Sequence, residues 1–553
     1  MSVCPSNNSL EKEEDMKCRH ARLIPGLFIV SVFLCAYLCS CSQPVITESE
    51  EIPIAEIRNT SSVKDIQLID ALEAFIPHIM KNKGTPGLNI ALALRGEVVW
   101  EAGFGYANLE RQVPMTPQTV THSGSMGKTY TATAVMQLVE QGVIGLDDPI
   151  NRYLREFQVV NPKGEREITF RDLLTHRSGL SVNAAGSRFE KPTPLSEHVK
   201  DGYSQNMFKS YNGSVLPRWG AKVGARYQYS NFGMATLGYL VEVTNPEGLS
   251  FSEYVQKHIM DPLGMTSSQY PPVQDAAHVR PEILDRFSSG YAQFGALDIP
   301  TPVIYFADYP AGTVVTIPGD HIKLLLAYLN NGSYNDFQLL RPETVELMLT
   351  PQVENTVGNV SLGLTWMLEN VGKPDFNFGH GGAHMYGWTN NFRAYPKQNL
   401  AIAVFTNHWP MMQNRYKEHK VIFDFISTWL KYDEPDVMRD SSDPSWAWKT
   451  SYVIGLLAVE QIMGSLGIED PLTPEMVNAM AEGAMLRTQS LNSGARWDPE
   501  GFRAGVDDLL QVPMRIQDIQ AFIRSDKCRV TPQELRKIYK ELGGEQASVL
   551  LVK

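Results

Sequence analysis

Ser125 and Lys128 are the residues of this chain whose types and spacing most directly suggest chemistry. They lie in Thr121-His122-Ser123-Gly124-Ser125-Met126-Gly127-Lys128-Thr129, and the run Tyr130 to Val143 that follows carries Ala132, Val135, Met136 and Val139 at helical spacing. Ser125 is therefore expected to start a helix. Positions three apart share a helix face, so the Lys128 amine can sit beside the Ser125 hydroxyl. A serine hydroxyl is a poor nucleophile until a base takes its proton, and a lysine kept neutral by burial and nearby positive charge can be that base. Lys128 would have to fall from about 10.4 to about 7 or 8 to do so, which demands a buried or electropositive site. Two other readings fail on a named residue: a phosphate-binding loop ending in Gly127-Lys128-Thr129 needs glycine where His122 stands, and a nucleophile elbow needs glycine at Ser123.

Two further constellations follow. Tyr229-Ser230-Asn231, between Gly224 and the helical run Met234 to Val243, can place a phenol and a carboxamide in a cleft. The phenol can relay a proton between serine and leaving group, and the amide can orient a substrate carbonyl. By themselves these residues also fit a turn with a buried tyrosine. Downstream, Phe378-Gly379-His380-Gly381-Gly382-Ala383-His384 precedes an alternating hairpin, Phe392 to Tyr395 and Leu400 to Thr406. Glycines beside a strand let a substrate approach the backbone. The Ala383 and Ser125 N–H groups could then form an oxyanion hole, where losing one donor costs about 2.7 to 4 kcal/mol in comparable sites. A metal site from His380 and His384 competes weakly, since glycines disfavour the helix that would align the two and no carboxylate stands between them.

In order and approximate spacing, Ser125-Met126-Gly127-Lys128, Tyr229-Ser230-Asn231 and His380-Gly381-Gly382 resemble the motifs of the serine β-lactamase-like superfamily of class C β-lactamases, DD-peptidases and serine esterases. Leu173-Leu174-Thr175-His176-Arg177-Ser178-Gly179-Leu180, Pro262-Leu263-Gly264-Met265 and Pro310-Ala311-Gly312 look like that family too, and the likeness covers residues 66 to 431. It implies an α+β fold of the β-lactamase/transpeptidase type, an antiparallel sheet flanked by helices beside a helical subdomain, with the active site between them. It also implies roles: Ser125 as acylated nucleophile, Lys128 and Tyr229 as acid and base, Asn231, His380 and Gly382 as substrate-binding groups. The expected activity is an esterase or peptidase-like serine hydrolase working through an acyl-enzyme on a small-molecule or peptide-like substrate, with no metal or cofactor. The alternative is a catalytically weak penicillin-binding or envelope interaction protein on the same fold. One departure matters: β-lactamases of the family carry Lys-Thr-Gly in the third motif, whereas this chain has His380-Gly381-Gly382. A histidine is mostly neutral where a lysine would hold a β-lactam carboxylate.

The elements that must position these residues can be read in order. Residues 1–41 resemble a targeting segment: Lys17, Arg19 and Arg22 precede an apolar run from Leu23 to Leu38, and Cys41 follows Cys39 as a candidate lipidated residue. A plain cleaved signal or a single-span anchor stays open, although about 16 apolar residues fall short of the roughly 20 a spanning helix needs. Residues 42–64 are acidic and aperiodic and read as a linker. Within the hydrolase domain, 65–432, a helix from Asp65 is expected to kink at Pro77 and end by Gly84. A hairpin turning at Arg95-Gly96 follows, then a helix capped by Thr169 with His176 as a supporting residue beyond it, and the resemblance implies a last helix from Tyr416 to Leu430 against the sheet. Residues 440–553 read as a helical C-terminal extension, either an appendage packed on the hydrolase, or a docking module or cover over the cleft. The chain has 553 residues, a formal net charge of -12 and 43% hydrophobic side chains, ample for a large core. That acidic balance argues against nucleic acid as a partner. Five of six cysteines precede the domain, so no disulfide framework is available to it.

Overall fold

The computed structural model describes residues 52–431, except 181–186, 189–191, 205–206, 210–214, 274, 295–296, 302–304, 358–359, 385–386 and 411–416, together with a few residues between 448 and 530. The expected signal, Cys41 and nearly all of the C-terminal extension lie outside the described residues. Those described fall in one unit, Ile46–Lys553.

Its centre is a ten-stranded antiparallel sheet. In chain order its main strands are β1 (Ile54–Arg58), β2 (Gly87–Leu94), β3 (Glu97–Asn108), β4 (Val353–Val357), β5 (Val360–Leu362), β6 (Met367–Glu369), β7 (Asn377–His384), β8 (Trp388–Tyr395) and β9 (Leu400–Thr406). Their order in space is β1-β3-β2-β9-β8-β7-β6-β5-β4. The N-terminal hairpin thus enters the sheet beside the C-terminal one, pairing Leu88 with Thr406 and Leu94 with Leu400. Every residue of β2, β8 and β9 is buried; β2 and β9 are mostly apolar, whereas β8 buries Thr389, Asn390, Asn391 and Arg393 as well.

Alternation along these strands assigns the two faces. Ala91, Ala93, Ala401 and Ala403 join one core with α5 (Pro318–Leu329), their small side chains letting that helix lie close to the sheet. The intervening Leu92, Ile402 and Val404 point the other way, to the face covered by α1 (Val63–Lys83) and α6 (Lys417–Lys431), whose Phe75 and Phe425 rings stack at 4.7 Å. Ser62 caps α1 by accepting from the Asp65 N–H, and Gly84 ends it in the left-handed conformation. The helix continues through Pro77 to Lys83. Residues 54–58 correct the linker expectation: they add an edge strand, Ile54 opposite Phe104 and Arg58 opposite Trp100. The Arg58 guanidinium there bridges Glu56, Asp70 and Glu73, a pairing that the five residues Ile-Ala-Glu-Ile-Arg did not disclose.

The helical part contains α2 (Lys128–Glu140), α3 (Phe170–Leu174) and α4 (Asn231–Thr244). From Lys128 to Leu138, α2 is buried on every side, and its threonines are tolerated there because each hydroxyl is satisfied. Thr131 Oγ1 donates to the Pro310 carbonyl at 2.6 Å and Thr129 Oγ1 to that of Met126 at 2.8 Å. A capping box between Thr169 and Asp172 starts α3, as expected. Among the described residues no helix is long and apolar enough to cross a membrane.

Trp366 joins sheet to helices, its ring lying 4.5 Å from Tyr328, 5.4 Å from Phe378 and 5.7 Å from Phe392, with no exposed surface. Trp366→Ala is expected to destabilise the fold by about 3–5 kcal/mol in chemical denaturation. A loss below about 1 kcal/mol would mean this contact does not join the two parts.

Candidate active site

The site is built on a corner. Thr121 and His122 form a short strand against Thr316 and Val315, and the Ser123 N–H donates to the Val314 carbonyl at 2.8 Å. Gly124 then turns the chain with φ of 58°, and a tight 3-10 turn, Gly124–Gly127, leads into α2. Only glycine fits at 124: a Cβ there would meet the Ala383 nitrogen of β7 at 2.4 Å. The nucleophile turn and the β7 backbone are thereby in direct contact, with the two expected oxyanion donors, Ser125 N–H and Ala383 N–H, on adjoining segments.

Ser125 is partly exposed while its neighbours Gly124 and Met126 are buried. The Lys128 amine is wholly buried, 2.9 Å from Ser125 Oγ and 2.5 Å from the carbonyl of Ala311, to which it donates. Burial lowers its pKa to about 7, against the opposing pull of the buried Asp308 carboxyl. The depression that the sequence reading demanded comes from desolvation, not from a neighbouring cation. When the amine is neutral its lone pair can take the Ser125 hydroxyl proton, and its N–H groups keep the Ala311 contact.

Tyr229 closes the cluster. Its half-buried ring lies beneath the Lys128 amine, 4.9 Å from Nζ to centroid, between the rings of His176 at 4.6 Å and His380 at 6.5 Å. The backbone reaches this position because Ser230 caps α4, accepting from the Gly233 N–H at 3.1 Å, and because the Ser230 N–H donates to His176 Nδ1 at 3.3 Å. His176 is thus a support for the tyrosine turn, as its place after α3 suggested. Asn231 opens α4 and is half-buried.

On the strand side, His380 is 1% exposed and its Nδ1 lies 2.6 Å from the Gly381 carbonyl. Burial, then the charge of Lys128, pushes its pKa down to about 3, so it is neutral at any ordinary pH. Gly382 was expected to line the substrate side, but a Cβ on it would fall 1.9 Å from the Ser123 carbonyl. It is pressed onto the nucleophile turn, and the partly exposed members of β7 are instead Gly381 and Ala383. The strand pleat explains this: 378, 380, 382 and 384 share the inward face. His384, at the end of that face, stacks flat on His122 at 3.9 Å.

Sequence reasoning missed Asp308 and the partner of Lys128, the Ala311 carbonyl. Both belong to a turn some 180 residues downstream, Asp308 to Gly312, and only Pro310-Ala311-Gly312 carried a signal.

The Beta-lactamase family model matches residues 72–425 of the chain. A Bacillus subtilis protein named as the penicillin-binding protein PbpX is 27% identical over 301 residues, 54% of this chain and 66% of that one. The mitochondrial serine beta-lactamase-like protein LACTB of Bos taurus is 35% identical over 113 residues, 20% of either chain. The chain therefore spans about two thirds or less of the length of these relatives. Among solved structures, the octameric penicillin-binding protein homologue from Pyrococcus abyssi superposes with a TM-score of 0.51 at 25% identity, covering 64% of this chain and 80% of that one. The D-amino acid amidase of Ochrobactrum anthropi shares the fold with a TM-score of 0.52 at 21% identity, covering 67% of this chain and all of that one.

A base with a pKa near 7 gives a sign. Acylation of Ser125 is expected to rise with pH and level off above about 7 as Lys128 loses its proton, and Lys128→Ala should slow it by about 10²–10⁴-fold. Mass-spectrometric rates of labelling by a fluorophosphonate across pH 5 to 9 test this; a flat profile would remove Lys128 as the base.

Proposed function

The chain belongs to the Beta-lactamase family, and from that premise we propose that it is a serine hydrolase of ester or peptide-like amide substrates working through an acyl-enzyme on Ser125. The observation that carries this reading is the 2.9 Å approach of the buried Lys128 amine to Ser125 Oγ. Ser125 Oγ gives its proton to Lys128 and bonds to the acyl carbon, and the developing oxyanion is met by the N–H groups of Ser125 and Ala383. Lys128 and Tyr229 together return the proton to the leaving group as its bond to carbon breaks. Water then cleaves the acyl-enzyme by the reverse sequence, and Asn231 orients the substrate carbonyl. Neutral His380 supplies no fixed positive charge for a substrate carboxylate, which favours neutral acyl compounds over β-lactams. The N-terminal segment is proposed to export the protein and tether it through Cys41.

Short-chain nitrophenyl esters are expected to be turned over by the full chain, and Ser125→Ala should lower kcat by about a thousandfold or more. Equal turnover by both proteins would sink the assignment of Ser125. Stoichiometric acylation by benzylpenicillin without ester turnover would instead favour a penicillin-binding role, as in the name of the Bacillus relative.

A further inference from the structure

Asp308 is 2% exposed, and its Oδ2 has no hydrogen-bond partner. A carboxyl taken so fully from water with one oxygen unsatisfied is costly, and native structures keep such groups for a reason. Its place is specific. Asp308 opens the turn Tyr309–Ala311 and accepts the Ala311 N–H on its own carbonyl at 2.8 Å, while the Ala311 carbonyl holds the Lys128 amine. The next carbonyl back, on Pro310, takes the hydroxyls of Thr131 and Tyr270 at 2.6 and 2.7 Å. One short turn therefore fixes both the amine of Lys128 and the acid that opens the turn.

We propose that Asp308 is a positioning residue for the reaction, its buried carboxylate balancing the ammonium that Lys128 becomes when it takes the proton of Ser125. This rests on the reading of Ser125 and Lys128 as nucleophile and base. The step conserves protons: one leaves Ser125 Oγ, the same one arrives on Lys128 Nζ, and it later departs with the leaving group. The other groups facing the pair do not supply that balance. His176, from the segment after α3, and His380, from β7, are kept neutral by burial and then by the Lys128 charge. Tyr270, beside Asp308, has its phenol pushed up by burial, and Tyr229 presents its ring face to Lys128. Asp308 is the carboxylate among them. Burial raises it to about 7, the positive charge of Lys128 opposes that rise, and the carboxylate in turn opposes the depression of Lys128.

The two groups should therefore report on each other. In the full chain carrying ¹³Cε-lysine, with the Lys128 resonance identified by its loss in Lys128→Met, Asp308→Asn is expected to move the Lys128 midpoint down by about one pH unit or more. In ¹³Cγ-aspartate protein, Lys128→Met is expected to move the Asp308 midpoint up, which keeps the test alive if Asp308→Asn fails to fold. The acidic limb of Ser125 labelling by a fluorophosphonate should shift down in Asp308→Asn while its plateau falls about tenfold. A merely structural acid would lower the plateau without moving the limb. An unmoved or raised Lys128 midpoint, or an unmoved Asp308 midpoint in Lys128→Met, would overturn the proposal. If both midpoints move as expected and Ser125 is never labelled at any pH, the pairing stands and the assignment of Ser125 as nucleophile falls.

Discussion

A lysine amine with no exposed surface is the constraint on which this structure turns. An ammonium loses several kcal/mol of hydration on such burial, so the protein must either neutralise the group or surround it with acceptors. It does some of both. Nζ contacts Ser125 Oγ and the Ala311 carbonyl, and desolvation makes the neutral form accessible near pH 7. The same demand fixes neighbouring backbone: α2 must be buried on every side, and the turn opening at Asp308 must reach across to it.

The surroundings complete a site poor in fixed charge. Four histidines, at 122, 176, 380 and 384, are held neutral chiefly by burial. They act as flat, polarisable surfaces: His176 and His380 flank the Tyr229 ring, and His122 and His384 stack in parallel behind the nucleophile turn. In such a low-dielectric pocket a single proton moving from serine to lysine changes the local field more than it would in water.

Much of this was legible from sequence because the chemistry is local where it matters most. Ser125 and Lys128 are three residues apart, so helical geometry alone brings them together, and Ser230 capping α4 sets Tyr229 and Asn231 by the same short-range logic. The N-terminal hairpin and α1, from 63 to 83, announced themselves through periodicity and turn signals, and the resemblance supplied α6, from 417 to 431. What stayed hidden was set by tertiary contact. Gly382 reads as an opening for substrate until the strand is seen lying on the Ser123 carbonyl, and no spacing links Asp308 to a lysine 180 residues before it. Residues 54–58 read as linker because their side chains are mostly outward-facing, and their order comes from the backbone of β3.

That edge strand carries a consequence of its own. β1 lies on the outer flank of β3, so its hydrogen bonds occupy a ladder that would otherwise be open to any extended peptide. Ile54 and Ile57 are exposed on it, three residues apart and so on opposite faces, and Arg58 is staked by carboxylates of α1. Proteolysis between Arg58 and Ser62 would leave the catalytic cluster covalently whole, yet it would free a sticky margin on which one molecule could recruit the next. The few residues before α1 thus cover one edge of the sheet, whereas the strand that meets the nucleophile turn, β7, lies in its interior between β8 and β6.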